Sequence, residues 1–205
     1  MSETVWDRIE RSRAEHNVLQ HPFYQRWSAG ELSADELARY AGQYRHATEA
    51  IARLCDEAAE AAPEPHREEL ARHAAEEEEH VGLWDSFIEA AGGEIGAEPT
   101  PETTECIRAW TAPEGYLASL ARLYAIESGQ PEIARIKREG LARFYGINGG
   151  KGGEYFQVHE RDDVAHAEES RSLIEEAMGP EDEDLVVEAA ESAFRANWRL
   201  LDGVN

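Results

Sequence analysis

The stretch Glu154-Tyr155-Phe156-Gln157-Val158-His159-Glu160-Arg161-Asp162-Asp163-Val164-Ala165-His166 decides how this chain folds. His159, Asp163 and His166 stand at offsets 0, 4 and 7. At about 100° per residue they fall at roughly 0°, 40° and −20°, a single narrow stripe on a helix. The helical pattern continues to Ala177 and stops at Gly179-Pro180, predicting one long helix over 154–177. Imidazole and carboxylate on an inward stripe suit metal ligation. The same spacing also suits a solvated stripe in a glutamate-rich helix, or a core histidine satisfied by its neighbours.

Outward from this stretch the chain keeps the helical period. Thr4 to Glu15 has helix-forming composition, and His21-Pro22 interrupts it, because a residue before proline avoids helical geometry. Ser33-x-x-Glu36 has the form of a capping box and opens a helix running from Ala34 to about Ala61, which Pro63 and Pro65 end. A third helix runs from about His66 to Ala91 and stops at Gly92-Gly93. Residues 94–103 read as a connector. Further helices are expected up to Trp110, from Pro113 to Ser128, from the Gly129-Gln130-Pro131 break to Tyr145, and from Glu183 to Leu201. Gly146 to Gly153 reads as a flexible glycine-rich turn; Lys151 is followed by Gly152, so it lacks the pattern of a phosphate-binding loop. No alternating β-branched run and no internal repeat is present. The prediction is all-α: a single up-and-down helical bundle over residues 1–205, its short connections favouring antiparallel neighbours.

Composition narrows the function. A chain of 205 residues with 41% hydrophobic content is long enough for one substantial core. A net charge of −23 excludes a phosphate-binding face and disfavours acidic membrane surfaces, so neither nucleic acid nor membrane is expected as a partner. No basic, apolar leader opens the sequence and no apolar run approaches the roughly 20 residues of a membrane span, so the expected location is cytoplasmic. Cys55 and Cys106 lie outside any CxxC pattern and read as small buried residues. Lysine occurs only as Lys137 and Lys151.

Two further pieces join the histidine stripe. Glu76-Glu77-Glu78-Glu79-His80 places either Glu77, three before His80, or Glu76, four before, on the histidine's face. Glu-x-x-His pairs of this kind build the carboxylate-bridged dinuclear sites of helical bundles, although four glutamates in a row more commonly form a solvated run. His73, a heptad before His80, could be a ligand, but is expected rather to pack or to face solvent. Glu127 ends the apolar segment Leu123-Tyr124-Ala125-Ile126, where burial would be costly without a partner or a metal. Three helices thus supply a mixed nitrogen and oxygen donor set suited to iron or manganese.

Several stretches resemble the haem-oxygenase-like superfamily, on the branch that holds TenA, the pyrroloquinoline-quinone synthase PqqC and the chlamydial CADD protein. They are His21-Pro22-Phe23-Tyr24-x-x-Trp27-x-x-Gly30-Glu31-Leu32-Ser33, the run Glu127-Ser128-Gly129-Gln130-Pro131-Glu132-Ile133-Ala134-x-x-Lys137-x-x-Gly140-Leu141, Tyr145-Gly146-Ile147, and Tyr155-Phe156-x-x-His159-x-x-x-Asp163-x-x-His166. The likeness spans about residues 16–200 and is most specific from Glu127 to His166. CADD-like members are non-haem dinuclear oxidases, so the resemblance implies ligands at His80, Glu127, His159, Asp163 and His166. The family's remaining carboxylate lies further upstream, where this sequence has His73, so the resemblance leaves Glu77 or Glu76 to take that role.

The resemblance further implies two iron ions, as an Fe/Fe or Fe/Mn pair, with O2 and a reductant as partners. CADD-like members make p-aminobenzoate from a tyrosine and a lysine of their own chain; Tyr24, Tyr40 and Lys137 match those positions and Tyr155 matches a further site tyrosine. Ile126 departs from the pattern, standing where CADD has a tyrosine. A small-molecule substrate is the alternative to self-consumption. Other readings are a non-catalytic metal or small-molecule binder and a TenA- or PqqC-like enzyme without the metal pair; no cysteine stands where TenA-type hydrolysis needs one. A homodimer is the expectation such bundles carry.

Overall fold

The computed structural model describes residues 3–205, which run through α1 (Val5–Glu15), α2 (Pro22–Ala29), α3 (Ala34–Ala61), α4 (Glu64–Ala91), α5 (Pro101–Trp110), α6 (Tyr116–Glu127), α7 (Gln130–Phe144), α8 (Glu154–Ala177) and α9 (Glu183–Asp202). Short 3-10 turns lie at Val18–Gln20 and Gly150–Gly152, and no strand occurs among the described residues. The all-α bundle read from the sequence is the fold observed.

Local chemistry sets the helix starts. Ser33 and Glu36 form the reciprocal cap expected of their spacing: the Ser33 hydroxyl accepts from the Glu36 N–H at 3.3 Å, and the Glu36 carboxylate accepts from the Ser33 N–H at 2.8 Å. Thr4 and Asp7 cap α1 in the same way. His21-Pro22 breaks the helical pattern as expected, His21 being extended, and also opens α2. Proline occupies the first turn, where its missing N–H costs nothing, and the His21 Nδ1 accepts from the Phe23 N–H at 3.1 Å. Pro65 likewise sits in the first turn of α4 rather than ending a helix. α6 begins at Tyr116, three residues after the proline expected to start it, because Gly115 takes a φ of 90° outside helical space.

Helices α3 and α4 form the central hairpin. The two-residue connection Ala62-Pro63 makes them run antiparallel, and Arg45 grips Asp85 at 2.6 Å while Trp84 donates to the Ala41 carbonyl at 2.8 Å. α3 buries an apolar stripe at three- and four-residue spacing: Leu37, Tyr40, Tyr44, Ala47, Ile51, Leu54 and Ala58. Against this hairpin pack α6 and α8, while α7 covers α8, and α9 lies over α1, α5 and α6. The glycine-rich turn expected to be flexible is a packed element: Gly152 meets Ala90 of α4 so closely that a Cβ would lie 2.6 Å from the Ala90 methyl.

A second close approach fixes α7 against α2. The Trp27 indole donates to the Lys137 carbonyl at 3.2 Å and lies flat on Gly140, where an added Cβ would come within 2.6 Å of Nε1. Trp27 is fully buried and has no room to retreat. Gly140→Ala should therefore destabilise the fold by about 1–3 kcal/mol, the usual cost of overpacking, measured by urea denaturation. An unchanged midpoint would refute this account of the α2–α7 contact.

Candidate metal centre

The buried stripe of α4 reads Leu70, His73, Ala74, Glu77, His80, Trp84, Phe87 and Ile88: apolar at both ends and polar in the middle. The buried stripe of α8 repeats the plan, with His159, Asp163 and His166 between Tyr155-Phe156 and Leu173-Ile174. α6 contributes Glu127, its last residue. The three polar segments meet in the interior, where His73, Glu77, His80, Glu127, His159, Asp163 and His166 are all buried.

Of the two carboxylates left open by the sequence, Glu77 is the one inside, only 3% exposed. Its Oε1 accepts from His80 Nδ1 at 2.9 Å, and its Oε2 lies 3.9 Å from His159 Nε2. Glu76 is partly exposed on the rim, 3.3 Å from His166 Nε2 and bonded to Arg72. His73, expected to pack or to face solvent, is instead part of the cluster. Its Nε2 lies 3.1 Å from Glu127 Oε1, and its ring faces that of His166 with centroids 3.9 Å apart. The heptad from His73 to His80 carried this signal, since Glu77 falls between them on the same stripe.

Many of the donor atoms lack any hydrogen bond: His73 Nε2, both Glu127 oxygens, His159 Nε2, both Asp163 oxygens and His166 Nδ1. Buried polar atoms are seldom left in this state, and a protein that leaves so many in one place is shaped around something that satisfies them. The tautomer of His159 fits such a role: Nδ1 donates to the Tyr155 carbonyl at 2.8 Å, leaving the Nε2 lone pair facing the cluster. Donor atoms of His73, Glu77 and His166 lie within 4.8 Å of one another, as do those of Glu77, His80 and His159, so Glu77 belongs to both groups. Cys55 Sγ approaches His73 and Glu127 within the same limit, closer to the cluster than a merely apolar role requires.

Charge is strongly coupled here. Burial pushes the Glu127 and Asp163 carboxyls up. Burial also opposes ionisation of Glu77, but the His159 and His80 imidazoles beside it outweigh that and hold this carboxyl well below its ordinary range. Burial draws His159 and His166 down, yet the surrounding acids win and raise each to about 9, with Asp163 and Glu77 acting on His159, and Asp163 and Glu127 on His166.

A second cluster lies beside the first. The Tyr24 and Tyr40 hydroxyls share a hydrogen bond at 2.9 Å. Lys137 Nζ sits over the Tyr24, Tyr40 and Tyr44 rings, at 5.5, 5.4 and 4.5 Å from their centroids. Burial pushes all three phenols up and draws the Lys137 amine down to about 7. Tyr155 joins the clusters, its ring stacked on His159 at 3.9 Å. Tyr44 and Trp84 complete this aromatic wall, and the sequence reading did not single them out.

The chain is 33% identical to a 4-aminobenzoate synthase of Nitrosomonas europaea, over 97% of this chain and 89% of the relative. It is 31% identical to a 4-aminobenzoate synthase of Chlamydia trachomatis, over 96% and 90%. A crystal structure from Shewanella denitrificans, described as a domain of unknown function with a haem-oxygenase-like fold, superposes with a TM-score of 0.81 at 21% identity, covering 95% of this chain and 89% of that one, a likeness that speaks for the fold. No helix among the described residues is long and apolar enough to cross a membrane. Residues 38–198 match the family described as iron-containing redox enzymes, and with its buried histidine–carboxylate cluster on a haem-oxygenase-like bundle, this chain belongs to that family.

Proposed function

We propose that the chain is a non-haem oxidase that holds two iron ions between α4, α6 and α8 and makes p-aminobenzoate from its own Tyr24 or Tyr40 and Lys137. The observation that carries the metal half is the set of buried, unpartnered donor atoms on His73, Glu127, His159, Asp163 and His166. Their mixed nitrogen and oxygen chemistry fits iron, or an iron–manganese pair. Glu77, His80 and His159 would hold one ion; His73, Glu127, Asp163 and His166 would hold the other, with Glu77 in reach of both. Ferrous iron bound there supplies the electrons that reduce O2, with an external reductant to restore it.

The chain's own residues support the second half. Tyr24, Tyr40 and Lys137 are each at most 2% exposed and packed together, with the Lys137 amine over both phenol rings. Burial leaves much of the Lys137 amine uncharged near neutral pH, the form that can attack an oxidised ring. The Trp27 indole, fixed on the Lys137 carbonyl, holds the base of that side chain in place. The relatives named 4-aminobenzoate synthase align along nearly the whole chain, which favours this product over a free small-molecule substrate.

Metal binding should depend on pH with a definite sign. His159 and His166 are raised to about 9 in the metal-free fold, above the ordinary value of about 6.5. Their ionic contribution to stability is complete below about pH 6.5 and is lost as pH rises through about 9. In chelator, the urea midpoint should fall across that window, while Fe(II) affinity rises over it because iron displaces those protons. His159→Ala and Glu77→Ala should each weaken iron binding by about tenfold or more, read by metal analysis after dialysis. A flat pH profile, or full iron retention in both variants, counts against the centre.

Mass spectrometry after exposure of the ferrous protein to O2 and reductant should show loss from Tyr24 or Tyr40 and an altered Lys137. Lys137→Met should retain iron and release no p-aminobenzoate. An unmodified wild-type chain that still consumes O2 would remove self-consumption and leave an oxidase of another substrate.

A further inference from the structure

Between the ligand cluster and the phenol pair, the rings form a continuous column. Tyr155 stacks on His159 with centroids 3.9 Å apart and planes at 24°. Trp84 meets Tyr155 edge-on at 4.7 Å, Tyr44 at 4.9 Å and Tyr40 at 6.0 Å. Tyr40 and Tyr44 lie 5.5 Å apart, and Tyr40 bonds Tyr24. Helical spacing builds two of the links, since Tyr155 precedes His159 by four residues and Tyr40 precedes Tyr44 by four, and contacts between helices bring Trp84 against both pairs.

We propose that Tyr155, Trp84 and Tyr44 form a one-electron relay, with Trp84 as its oxidisable midpoint, that joins the ligand cluster to the Tyr24–Tyr40 pair. The inference rests on reading the cluster as an O2-activating metal centre, and it assigns roles to Trp84 and Tyr44 that self-consumption alone does not require.

Four features favour this column as the route. Ile126, beside the ligand residue Glu127, is aliphatic and conducts nothing, whereas Tyr155 lies against a ligand imidazole. All four rings from Tyr155 to Tyr40 are at most 2% exposed, so a radical among them is shielded from solvent. Phe87 and Phe156 flank Trp84 at 5.0 and 5.7 Å, and their rings are far harder to oxidise than indole or phenol, which confines an electron vacancy to the column. The Trp84 Nε1–H donates to the Ala41 carbonyl at 2.8 Å, so the indole can lose an electron while keeping its proton.

The balance is simple. The Trp84 indole gives up one electron toward the ligand cluster through its contact with Tyr155, where an iron pair oxidised by O2 would accept it. Tyr40 or Tyr24 returns an electron to the indole across Tyr44 and becomes a neutral phenoxyl. The phenolic proton passes to the uncharged Lys137 amine, whose Nζ lies over both rings.

Freeze-quench electron paramagnetic resonance of the ferrous protein mixed with O2 tests this, with ring-deuterated tyrosine or tryptophan to assign the radical. Wild type should show a tyrosyl signal. In Trp84→Phe that signal should drop to the background of an iron-free sample, while iron content and the rate of ferrous oxidation stay unchanged. Tyr44→Phe and Tyr155→Phe keep the rings in place and carry the test if Trp84→Phe does not fold; each should slow appearance of the tyrosyl signal. An undiminished, unslowed signal in these variants, or no aromatic radical in wild type, overturns the relay. Intact mass separates the two readings. An unmodified chain with a Trp84-dependent radical removes self-consumption and keeps the relay, whereas a chain modified equally with and without Trp84 keeps self-consumption and removes the relay. A wild-type chain that takes up no iron removes both.

Discussion

Ionisable side chains in the middle of a helical core must be neutralised by something, and this requirement organises the rest of the molecule. The buried stripes of α4 and α8 are apolar at both ends and polar over the segment that faces the cluster. Without a metal, the balance is struck by opposed shifts: imidazoles gain protons, Glu77 stays charged between them, and Glu127 and Asp163 are driven toward their neutral forms. Hydrogen bonding remains incomplete, because these donor atoms point at a common space and not at each other. Cations complete such an arrangement; apolar packing does not.

The Lys137 neighbourhood applies the opposite logic. Burial is the sole influence that moves this amine, and five aromatic rings surround its Nζ. Quadrupoles of ring faces soften the desolvation of whatever charge remains. A nearby carboxylate would have kept the amine fully protonated; the fold supplies rings instead and thereby a nucleophile. In a chain with two lysines, one of them being placed like this is a chemical choice in the packing, not a matter of surface charge.

Much of this was legible from spacing. The histidine stripe of α8 and the Ser33 cap follow directly from helical geometry, and the fold follows from the absence of any strand period. What spacing could not decide was phase. Four consecutive glutamates present every face of α4, and only its contact with α3 and α8 selects Glu77 and turns Glu76 to the rim. His73 is ambiguous for the same reason: a lone histidine on a helix shows no role until Glu127 arrives beside it from a helix more than fifty residues away. Pro65 is ambiguous in sequence because proline both ends and begins helices, and the sequence alone does not say on which side the cap forms.

The cap of α2 has a consequence in time. His21 holds the first turn of that helix through Nδ1, while its other nitrogen bonds Asp202 at 3.2 Å and its ring abuts Trp198. The side chain that caps the helix bearing Tyr24 is thereby tied to α9 across a sequence separation of 181 residues. A contact spanning so much chain closes late in folding, because the entropy of the intervening loop must be overcome before its ends can meet.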